Sequence, residues 1–262
     1  PLFEIEFGKK EFKIESLGEI AAFRKREHPK WEKFLSVLNS DISDTDPYEI
    51  LKPDYKSFEK YICIVQADGD NMGKTFSCHA LSDENLEMVS DALLDFGKNA
   101  SKHIRDFGGL PVYAGGDDLL FIAPVVGKTG TGAEGTIFSL IEEIDGQCFS
   151  QVRDIVKGLG LTYKDKDGVQ KQIIPSMSYG ISITYYKYPL YEALKEALDL
   201  LHTAKSVKGK NALAWKIIKH SGSEFSAAIS REIPEFTEKF KDLIDKTTDG
   251  KTVSAVAHKM RE

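Results

Sequence analysis

Two β-prone runs in the middle of the chain are separated by only four residues. Residues 110–114 and 119–123 are mainly apolar, and the connection between them, 115–118, reads Gly-Gly-Asp-Asp. So short a connection, with glycines that adopt positive φ at little cost, is typical of a tight antiparallel hairpin. Its tip would carry two adjacent carboxylates, whose repulsion is unfavourable unless a cation relieves it. The pattern therefore predicts a hairpin that binds a divalent cation.

A second acidic segment follows another β-prone run. Residues 61–67 are apolar and short enough for a buried strand, and residues 68–74 read Asp-Gly-Asp-Asn-Met-Gly-Lys. In a β-α-β-β sheet the first strand is central and lies beside the hairpin. We therefore expect the carboxylate of Asp68 to meet those of Asp117 and Asp118 at one edge of the sheet.

The remaining elements give the order β-α-β-β-α-(hairpin)-β-α-β, which contains a β-α-β-β-α-β core. Apolar residues recur at helical spacing in three stretches, 86–104, 137–155 and 190–204. In the third stretch the predicted buried face consists of Leu190, Leu194, Leu198, Leu201 and Ala204. Further strands are predicted at 177–186 and 212–218, with an inserted hairpin at 159–174. This order predicts an α+β fold of the ferredoxin-like class, with helices on one face of the sheet.

The flanking segments are less regular. Residues 17–38 have loosely helical spacing interrupted by Pro29, which predicts two short helices. Residues 41–56 contain Asp, Ser and two prolines, which is typical of a linker or extended loop. Residues from 223 onward are polar with scattered apolar positions and are predicted to be helical. We therefore divide the chain into three parts: an N-terminal helical and linker region (1–57), the ferredoxin-like domain (58–220) and the start of a C-terminal helical domain (221–262).

Composition narrows the functional classes. The 262 residues carry a formal net charge of −6 and are 41% hydrophobic, which fits a globular protein with a substantial core. A dedicated duplex-binding module is usually basic, so that class is disfavoured. We see no apolar run long enough to span a bilayer and no signal peptide, and we expect a cytoplasmic protein without a membrane partner. The three cysteines are odd in number and far apart, which argues against disulfides and a structural zinc.

The carboxylates suit metal-assisted phosphoryl transfer. Mg²⁺ prefers hard oxygen ligands, often one or two carboxylates with phosphate oxygens and water. Two Mg²⁺ or Mn²⁺ ions about 3.5–4 Å apart neutralise a triphosphate and position the attacking hydroxyl. We expect Asp68 and Asp117, with Asp118 and the carbonyl of Gly69, to bind two such ions.

Lysines near these acids are candidates for triphosphate contacts. Lys74 ends the first acidic segment, and residues 205–210, at the end of the third helical stretch, contain three lysines. Cations at a helix C-terminus also simply complement the helix dipole, and that alternative stays open for any one lysine. Beside an acidic metal site we favour phosphate contacts from Lys74, Lys205 and Lys210.

Four segments in order resemble a known family. They are 68–74, 115–118, 178–181 (Ser-Tyr-Gly-Ile) and 204–211, which runs from Ala-Lys to Gly-Lys-Asn. Over residues 58–220 the chain resembles the polymerase-like palm of the large subunit of type III CRISPR effector complexes, closest to the Cmr type. It resembles bacterial GGDEF diguanylate cyclases more distantly. Its hairpin continues Asp-Asp-Leu where the cyclases have Asp-Glu-Phe or Glu-Glu-Phe, and glycines stand in the first segment where they have bulky residues. Both departures favour the CRISPR subunit.

The resemblance implies a nucleotidyltransferase that joins ATP molecules through 3′–5′ bonds into cyclic oligoadenylate messengers of antiviral defence. The implied catalytic residues are Asp68, Asp117 and Asp118. Implied nucleotide contacts come from all four segments: Gly69, Asp70, Asn71, Gly73, Lys74, Gly115, Gly116, Ser178, Lys205 and Lys210. The implied partners are ATP, other subunits of a CRISPR ribonucleoprotein complex, and crRNA and target RNA through that complex.

Several alternatives stay open. In the intact subunits two palms face each other with an ATP at each, and one palm is visible here. Because the chain begins at Pro1 and not at Met, we expect it to be part of a longer protein. A free-standing cyclase of the diguanylate type would prefer guanine nucleotides, and a non-catalytic scaffold would only bind ATP or pack against partners. Some relatives join AMP to another small acceptor, so the product is open too.

Overall fold

The computed structural model describes residues 3–5, 12–14, 16–40 and 46–233. The strands of this part are β1 Phe3–Ile5, β2 Phe12–Ile14, β3 Tyr61–Asp70, β4 Leu110–Gly115, β5 Asp118–Pro124, β6 Val126–Lys128, β7 Glu134–Thr136, β8 Thr162–Lys164, β9 Gln170–Gln172, β10 Ser176–Tyr185, β11 Ala212–Ile218 and β12 Glu224–Ser230. The α-helices are α1 Leu17–Ala21, α2 Trp31–Leu38, α3 Met72–Phe76, α4 Asp83–Phe107, α5 Ile137–Glu143, α6 Ser150–Gly158 and α7 Leu190–Ser206. Short 3₁₀ helices span Phe23–Lys25, Pro47–Leu51 and Ser57–Lys60, and a π-helical turn spans Ile144–Cys148.

A mixed sheet forms the centre of the molecule. Its strand order is β12-β11-β10-β3-β5-β4. Strand β3 is antiparallel to both of its neighbours, β10 and β5, whereas β10 and β11 are parallel and are joined by α7. The four strands of the predicted β-α-β-β-α-β core are adjacent, and the α+β, ferredoxin-like fold class is confirmed. The inserted hairpin at 159–174 is present as β8 and β9.

Helix α4 covers one face of the sheet. Ser82 caps its first turn by accepting a hydrogen bond from the Asn85 N–H at 3.2 Å, and Gly108, with φ of 102°, ends it. Its apolar side buries Val89 and Phe96 against the sheet, where the Phe96 ring meets the Phe149 ring edge-on at 5.2 Å. Helices α5 and α6 pack beside it, so both helical segments of the ferredoxin-like core share this face.

The second predicted helix is not continuous. Residues 137–155 fall on α5, the π-helical turn and α6, and the turn contains the bond from the Phe149 N–H to the Ile144 carbonyl at 3.0 Å. This bond spans five residues and admits one extra residue per turn. The extra residue keeps Ile144, Phe149 and Val152 all buried in one core.

The prediction of helices on one face is confirmed for the core helices α4, α5 and α6 but does not extend to α7 and the N-terminal helices. They cover the opposite face, where a second core joins Ile20 and Phe34 to Ile64 of β3 and Ala197 of α7. The predicted leucine face of α7 is also incorrect in part, since Leu190 and Leu198 are 38% and 41% exposed. The buried positions of α7 are Ala193, Ala197, Leu200, Leu201 and Ala204.

A close approach between α7 and β10 explains this alanine face. A Cβ atom at Gly180 of β10 would lie 2.2 Å from both the Ala197 carbonyl oxygen and the Leu201 nitrogen. The backbone of α7 therefore lies directly on β10 at Gly180, and small side chains such as those of Ala193 and Ala197 fit beside this contact. Leu190 and Leu198 therefore lie at the exposed edge of the helix.

The flanks differ from prediction in two places. Two N-terminal helices are confirmed as α1 and α2. Residues 41–45 of the predicted linker lie outside the described residues, but Pro47–Leu51 forms a 3₁₀ helix with Tyr48 and Leu51 fully buried, so the linker interpretation is wrong there.

Towards the C-terminus, the prediction that residues from 223 onward are helical is wrong for Glu224–Ser230. These residues form strand β12, which pairs with the outer edge of β11 from Ala212↔Ser230 to Ile218↔Glu224. The edge of β11 offers unpaired backbone donors and acceptors, and β12 satisfies them. The rest of the predicted helical domain, from 234 to 262, lies outside the described residues.

No helix of the described ranges is long and apolar enough to cross a membrane.

Gly180→Ala is expected to destabilise the protein. The added methyl group collides with the backbone of α7, which cannot move away as a flexible side chain would, and overpacking of this kind costs about 1–3 kcal/mol. Gly158→Ala, at the end of α6, is the control because no atom lies within 4 Å of its added Cβ. Urea unfolding of both variants measures the difference. Equal midpoints for the two would contradict the close packing of α7 on β10.

Candidate metal and nucleotide site

The first acidic segment is the end of a strand and not a turn. Strand β3 continues through Asp68, Gly69 and Asp70, and the chain turns only at Asn71, which has a left-handed φ of 65°. Side chains alternate along a strand, so Asp68 and Asp70 point to the same face of the sheet, the face covered by α7. Because the segment is held in the ladder with β10, its backbone is rigid up to Asp70.

The hairpin tip lies directly against this strand end. The Gly69 N–H donates a hydrogen bond to the Asp117 carbonyl oxygen at 3.1 Å. A Cβ atom at Gly69 would lie 2.6 Å from Oδ2 and 2.7 Å from Cβ of Asp117, so a larger residue would push the tip away. Gly116, with φ of 61°, completes the turn, and Gly115 pairs with Asp118. The predicted meeting of the two acidic segments is confirmed.

A lysine from α7 also reaches the strand end. Lys205, in the last turn of α7, forms an ion pair with Oδ1 of Asp68, and both side chains are roughly three-quarters buried. Burial and the charge of nearby Lys210 lower the pKa of Lys205 to about 8, whereas the Asp68 carboxylate favours its charged form. Because a pKa of about 8 lies above 7, Lys205 is mostly protonated at neutral pH. The ammonium group therefore offsets the charge of Asp68.

The hairpin carboxylates have no such cation. Burial raises the pKa of Asp117 above its usual range, and the charges of Asp118 and Asp70 raise it further. Partial burial also raises the pKa of Asp118. Within the part of the chain that the structure describes, no salt bridge involves Asp117 or Asp118. These two acids are the uncompensated negative charge of the site.

The donor set fits a divalent ion that shares its coordination with a ligand. Asp68, Asp117, Asp118 and the Gly69 backbone offer hard oxygens at the adjoining ends of β3 and the hairpin, and the raised pKa values of the two hairpin acids indicate a charge that a cation would relieve. Among the described residues, no three His, Cys, Asp or Glu side chains are grouped to hold a metal by themselves. Mg²⁺ in phosphoryl-transfer sites takes one or two carboxylates and completes its shell with phosphate and water, so such a group is not required.

Two predicted nucleotide contacts are buried. Asp70 and Ser178 are both 0% exposed, and the Ser178 hydroxyl donates to Oδ2 of Asp70 at 2.8 Å. Neither is exposed to a ligand in this arrangement, and their direct contact with a nucleotide stays a prediction. They belong to the interior on which the site rests, because Asp70 lies in the middle of the polar layer between β3, β10 and the start of β11.

Lys74 is directed away from Asp68. Its Nζ bonds to Oδ1 of Asn71 at 2.9 Å and lies 3.8 Å from the centre of the Tyr163 ring, which belongs to the inserted hairpin. Gly73 is exposed and has no atom within 4 Å of an added Cβ, so its position is open to a ligand. The structure therefore brings the hairpin tip and Lys205 to the strand end that carries Asp68, and leaves Lys74 on the side of β8.

A polar cleft of about 530 Å³ opens beside Asn71. Its lining includes residues that the sequence did not single out: Tyr163, Arg153, Asp145, Arg231, Ser176 and Asn211. Asp145 accepts hydrogen bonds from Arg153 at 2.9 Å and from Arg231 at 3.1 Å, which ties α6 and the end of β12 to the π-helical turn. These residues are far apart in the chain and follow no spacing rule, so only the fold brings them together.

Comparison with known proteins identifies the palm. The model of the family "Cas10/Cmr2, second palm domain" matches residues 61–214. The CRISPR system Cmr subunit Cmr2 of Pyrococcus furiosus is 28% identical over 239 residues, which cover 78% of this chain and 25% of that protein. The chain thus spans about a quarter of the length of this curated relative.

Solved structures of similar shape include complexes and single domains. A type III-B Cmr-beta complex bound to cognate target RNA has a chain with a TM-score of 0.46 and 13% identity, covering 83% of this chain and 36% of that chain. The GGDEF domain of DgcB from Caulobacter crescentus in complex with c-di-GMP has a TM-score of 0.35 and 12% identity, covering 59% and 77%. The Csm1-Csm4 cassette in complex with cA4 has a TM-score of 0.33 and 18% sequence identity. The match covers 58% of this chain and 20% of that chain. TM-scores below 0.5 describe a partial likeness of shape and say nothing by themselves about activity.

Asp117→Asn is expected to stabilise the protein at neutral pH. A carboxyl whose pKa is raised on folding favours the fold when protonated, so its cost is present at pH values above the folded pKa and vanishes below the unfolded one. Because the side chain is only half-buried, water screens the effect, and the gain is roughly 0.5 kcal/mol. Thermal unfolding at several pH values should show the gain at pH 7 and its loss as the pH falls below about 4. Asp154→Asn, which removes an exposed charge from α6, is the control. A less stable Asp117→Asn protein at pH 7 would contradict the account.

Proposed function

Since the chain belongs to the family of Cas10/Cmr2 second palm domains, we propose that it binds ATP together with two Mg²⁺ or Mn²⁺ ions and transfers adenylyl groups to ribose 3′-hydroxyls. The products are 3′–5′-linked, cyclic oligoadenylates that serve as signals in antiviral defence. The chain is a palm domain of a type III CRISPR subunit, related to nucleotide cyclases.

One contact carries the proposal. The hydrogen bond from the Gly69 N–H to the Asp117 carbonyl holds the two acidic segments together, although they are far apart in the chain. A turn has no structural need for two adjacent aspartates, and their repulsion costs stability. The arrangement makes sense as a site whose missing positive charge arrives with the ligand.

Each residue of the site has a distinct role in the proposal. Asp68, Asp117 and Asp118, with the Gly69 carbonyl, hold the ions. Bound there, the ions would neutralise triphosphate charge and make the attacking hydroxyl more acidic. Lys205, now paired with Asp68, would turn to a phosphate oxygen if a metal ion bound that carboxylate, because both cations compete for the same oxygen. Lys210 adds a second positive charge beside it.

The remaining predicted contacts follow from position. The backbone at Gly115 and Gly116 lacks side chains, which lets a ribose or phosphate approach the hairpin closely. Gly73 offers the same open access within α3, and Asn71 lines the polar cleft with Lys74 hydrogen-bonded to it. These groups bind and orient the nucleotide, and none of them is a nucleophile.

The reaction needs no covalent bond to the protein. The 3′-hydroxyl oxygen of one nucleotide forms a bond to the α-phosphorus of another. The bond from that phosphorus to the oxygen bridging to the β-phosphate breaks, pyrophosphate leaves, and the hydroxyl proton passes to solvent. The work of the protein is therefore alignment and neutralisation of charge.

Activity of the whole protein depends on more than this chain. The chain spans about a quarter of its curated relative. We propose that a second palm in the rest of the protein supplies the facing nucleotide, and that other subunits of a cytoplasmic CRISPR ribonucleoprotein, with crRNA and target RNA, control synthesis. By itself the chain would bind ATP with metal and turn it over slowly or not at all.

Calorimetric titration with ATP and Mn²⁺ tests the proposal. The unmodified chain should bind ATP only when Mn²⁺ is present, and the double variant Asp117→Ala/Asp118→Ala should lose that binding while its circular dichroism is unchanged. Losing contacts to a bound cation costs about tenfold or more in affinity. The control is Asp83→Ala/Glu84→Ala, which removes two adjacent exposed charges at the start of α4.

The outcomes separate the alternatives. Tighter binding of GTP than ATP would favour a diguanylate-type cyclase. No binding of either nucleotide would favour a scaffold that only packs against partners. Undiminished ATP binding in the Asp117/Asp118 variant would sink the assignment of the site.

A further inference from the structure

Asp70 joins three parts of the fold through one buried oxygen. It is fully buried, two residues beyond Asp68 on β3. Its Oδ2 accepts hydrogen bonds from the Ser176 hydroxyl at 2.9 Å, the Ser178 hydroxyl at 2.8 Å and the Asn211 N–H at 2.9 Å. The two serines belong to β10, and Asn211 directly precedes β11. A carboxylate that accepts several hydrogen bonds is a strong anchor for its donors.

The segment that Asp70 anchors has an unfavourable backbone. Lys210 and Asn211 both have positive φ, 58° and 46°, which residues with a Cβ rarely adopt. Such a conformation persists only where its surroundings enforce it. The enforcing contacts are the bond to Asp70, the bond from the Lys210 N–H to the Val207 carbonyl at 2.9 Å, and the bond from the Arg231 N–H to the Asn211 carbonyl at 2.8 Å.

This turn carries Lys210 and follows the helix end that carries Lys205. It begins where α7 ends, one residue after Ser206. Lys205 lies in the last turn of α7, close enough to Lys210 for their charges to interact. Serine hydroxyls rotate to find other acceptors, but the Asn211 N–H is fixed in the backbone and depends on Asp70.

We propose that Asp70 is a positioning residue, which touches neither metal nor nucleotide and acts by holding the turn that directs Lys210 towards the triphosphate. This inference rests on the proposed function. It reassigns a residue that the motif placed among the nucleotide contacts. It also explains why an acidic side chain stands inside the protein two positions from the metal-binding aspartate.

A double-mutant cycle with Lys210 tests the inference. Asp70→Ala should weaken binding of ATP with Mn²⁺ by about tenfold, the typical size of a charge-assisted contact. In a Lys210→Met background the same change should matter little, about twofold or less, because the lysine that Asp70 positions is already absent. Asp70→Asn, whose amide oxygen can still accept the bond from Asn211, should restore most of the affinity. Binding of Mn²⁺ without nucleotide, followed by electron paramagnetic resonance, should not change.

Serine variants keep the test valid if Asp70→Ala does not fold. Ser178→Ala removes one donor to Asp70 and should weaken ATP binding by roughly threefold, again only when Lys210 is present. Its matched control is Ser182→Ala, because Ser182 is equally buried on the same strand and its hydroxyl has no hydrogen-bond partner among the described residues. The control should bind ATP normally.

The results distinguish this inference from the proposed function. If the losses from Asp70→Ala and Lys210→Met multiply, or if Mn²⁺ binding falls together with ATP binding, Asp70 does not act through Lys210 and the inference is overturned. Unchanged ATP binding in both Asp70→Ala and Ser178→Ala overturns it as well. Failure of the unmodified chain to bind ATP would overturn the proposed function itself, and the inference with it.

Discussion

The site depends on a single backbone contact between the hairpin tip and the end of β3. The Gly69 N–H meets the Asp117 carbonyl at 3.1 Å, and the absence of a side chain at Gly69 makes room for Asp117. Strand register brings the two ends to the same level, since β3 pairs with β5 up to Ala67↔Leu119. Without this contact Asp68 and the hairpin aspartates would be separate solvated charges. With it they form one electronegative edge.

The positive charge of the site comes from α7, which packs on the sheet face opposite α4. Helix α7 lies against β10 at Gly180, and this close seat places the last turn of the helix, with Lys205, over Asp68. The buried network around Asp70 then fixes the turn that follows. Cation and carboxylates are thus positioned by the same sheet.

Periodicity and short motifs were sufficient to predict much of this from the sequence. The hairpin, the order of the core and the convergence of Asp68 with Asp117 follow from the length of apolar runs and from glycine positions. The buried face of α7 could not be predicted, because its alanines are selected by the backbone of β10 and not by hydrophobicity. Strand β12 was predicted as helix because it is mostly exposed and lacks an alternating pattern. The burial of Asp70 was missed because a motif gives residue type and spacing, but not the hydroxyl and N–H donors that enclose a side chain.

Crystals grown with ATP and Mn²⁺ provide the most direct measurement. Data collected at the manganese absorption edge would locate the ion independently of any assumption about its ligands. An anomalous peak is expected between the carboxylate of Asp68 and those of the hairpin aspartates, Asp117 and Asp118, with Lys205 turned from Asp68 to a phosphate oxygen. Bound ATP with no manganese at this position, or with Lys205 still paired to Asp68, would contradict this expectation.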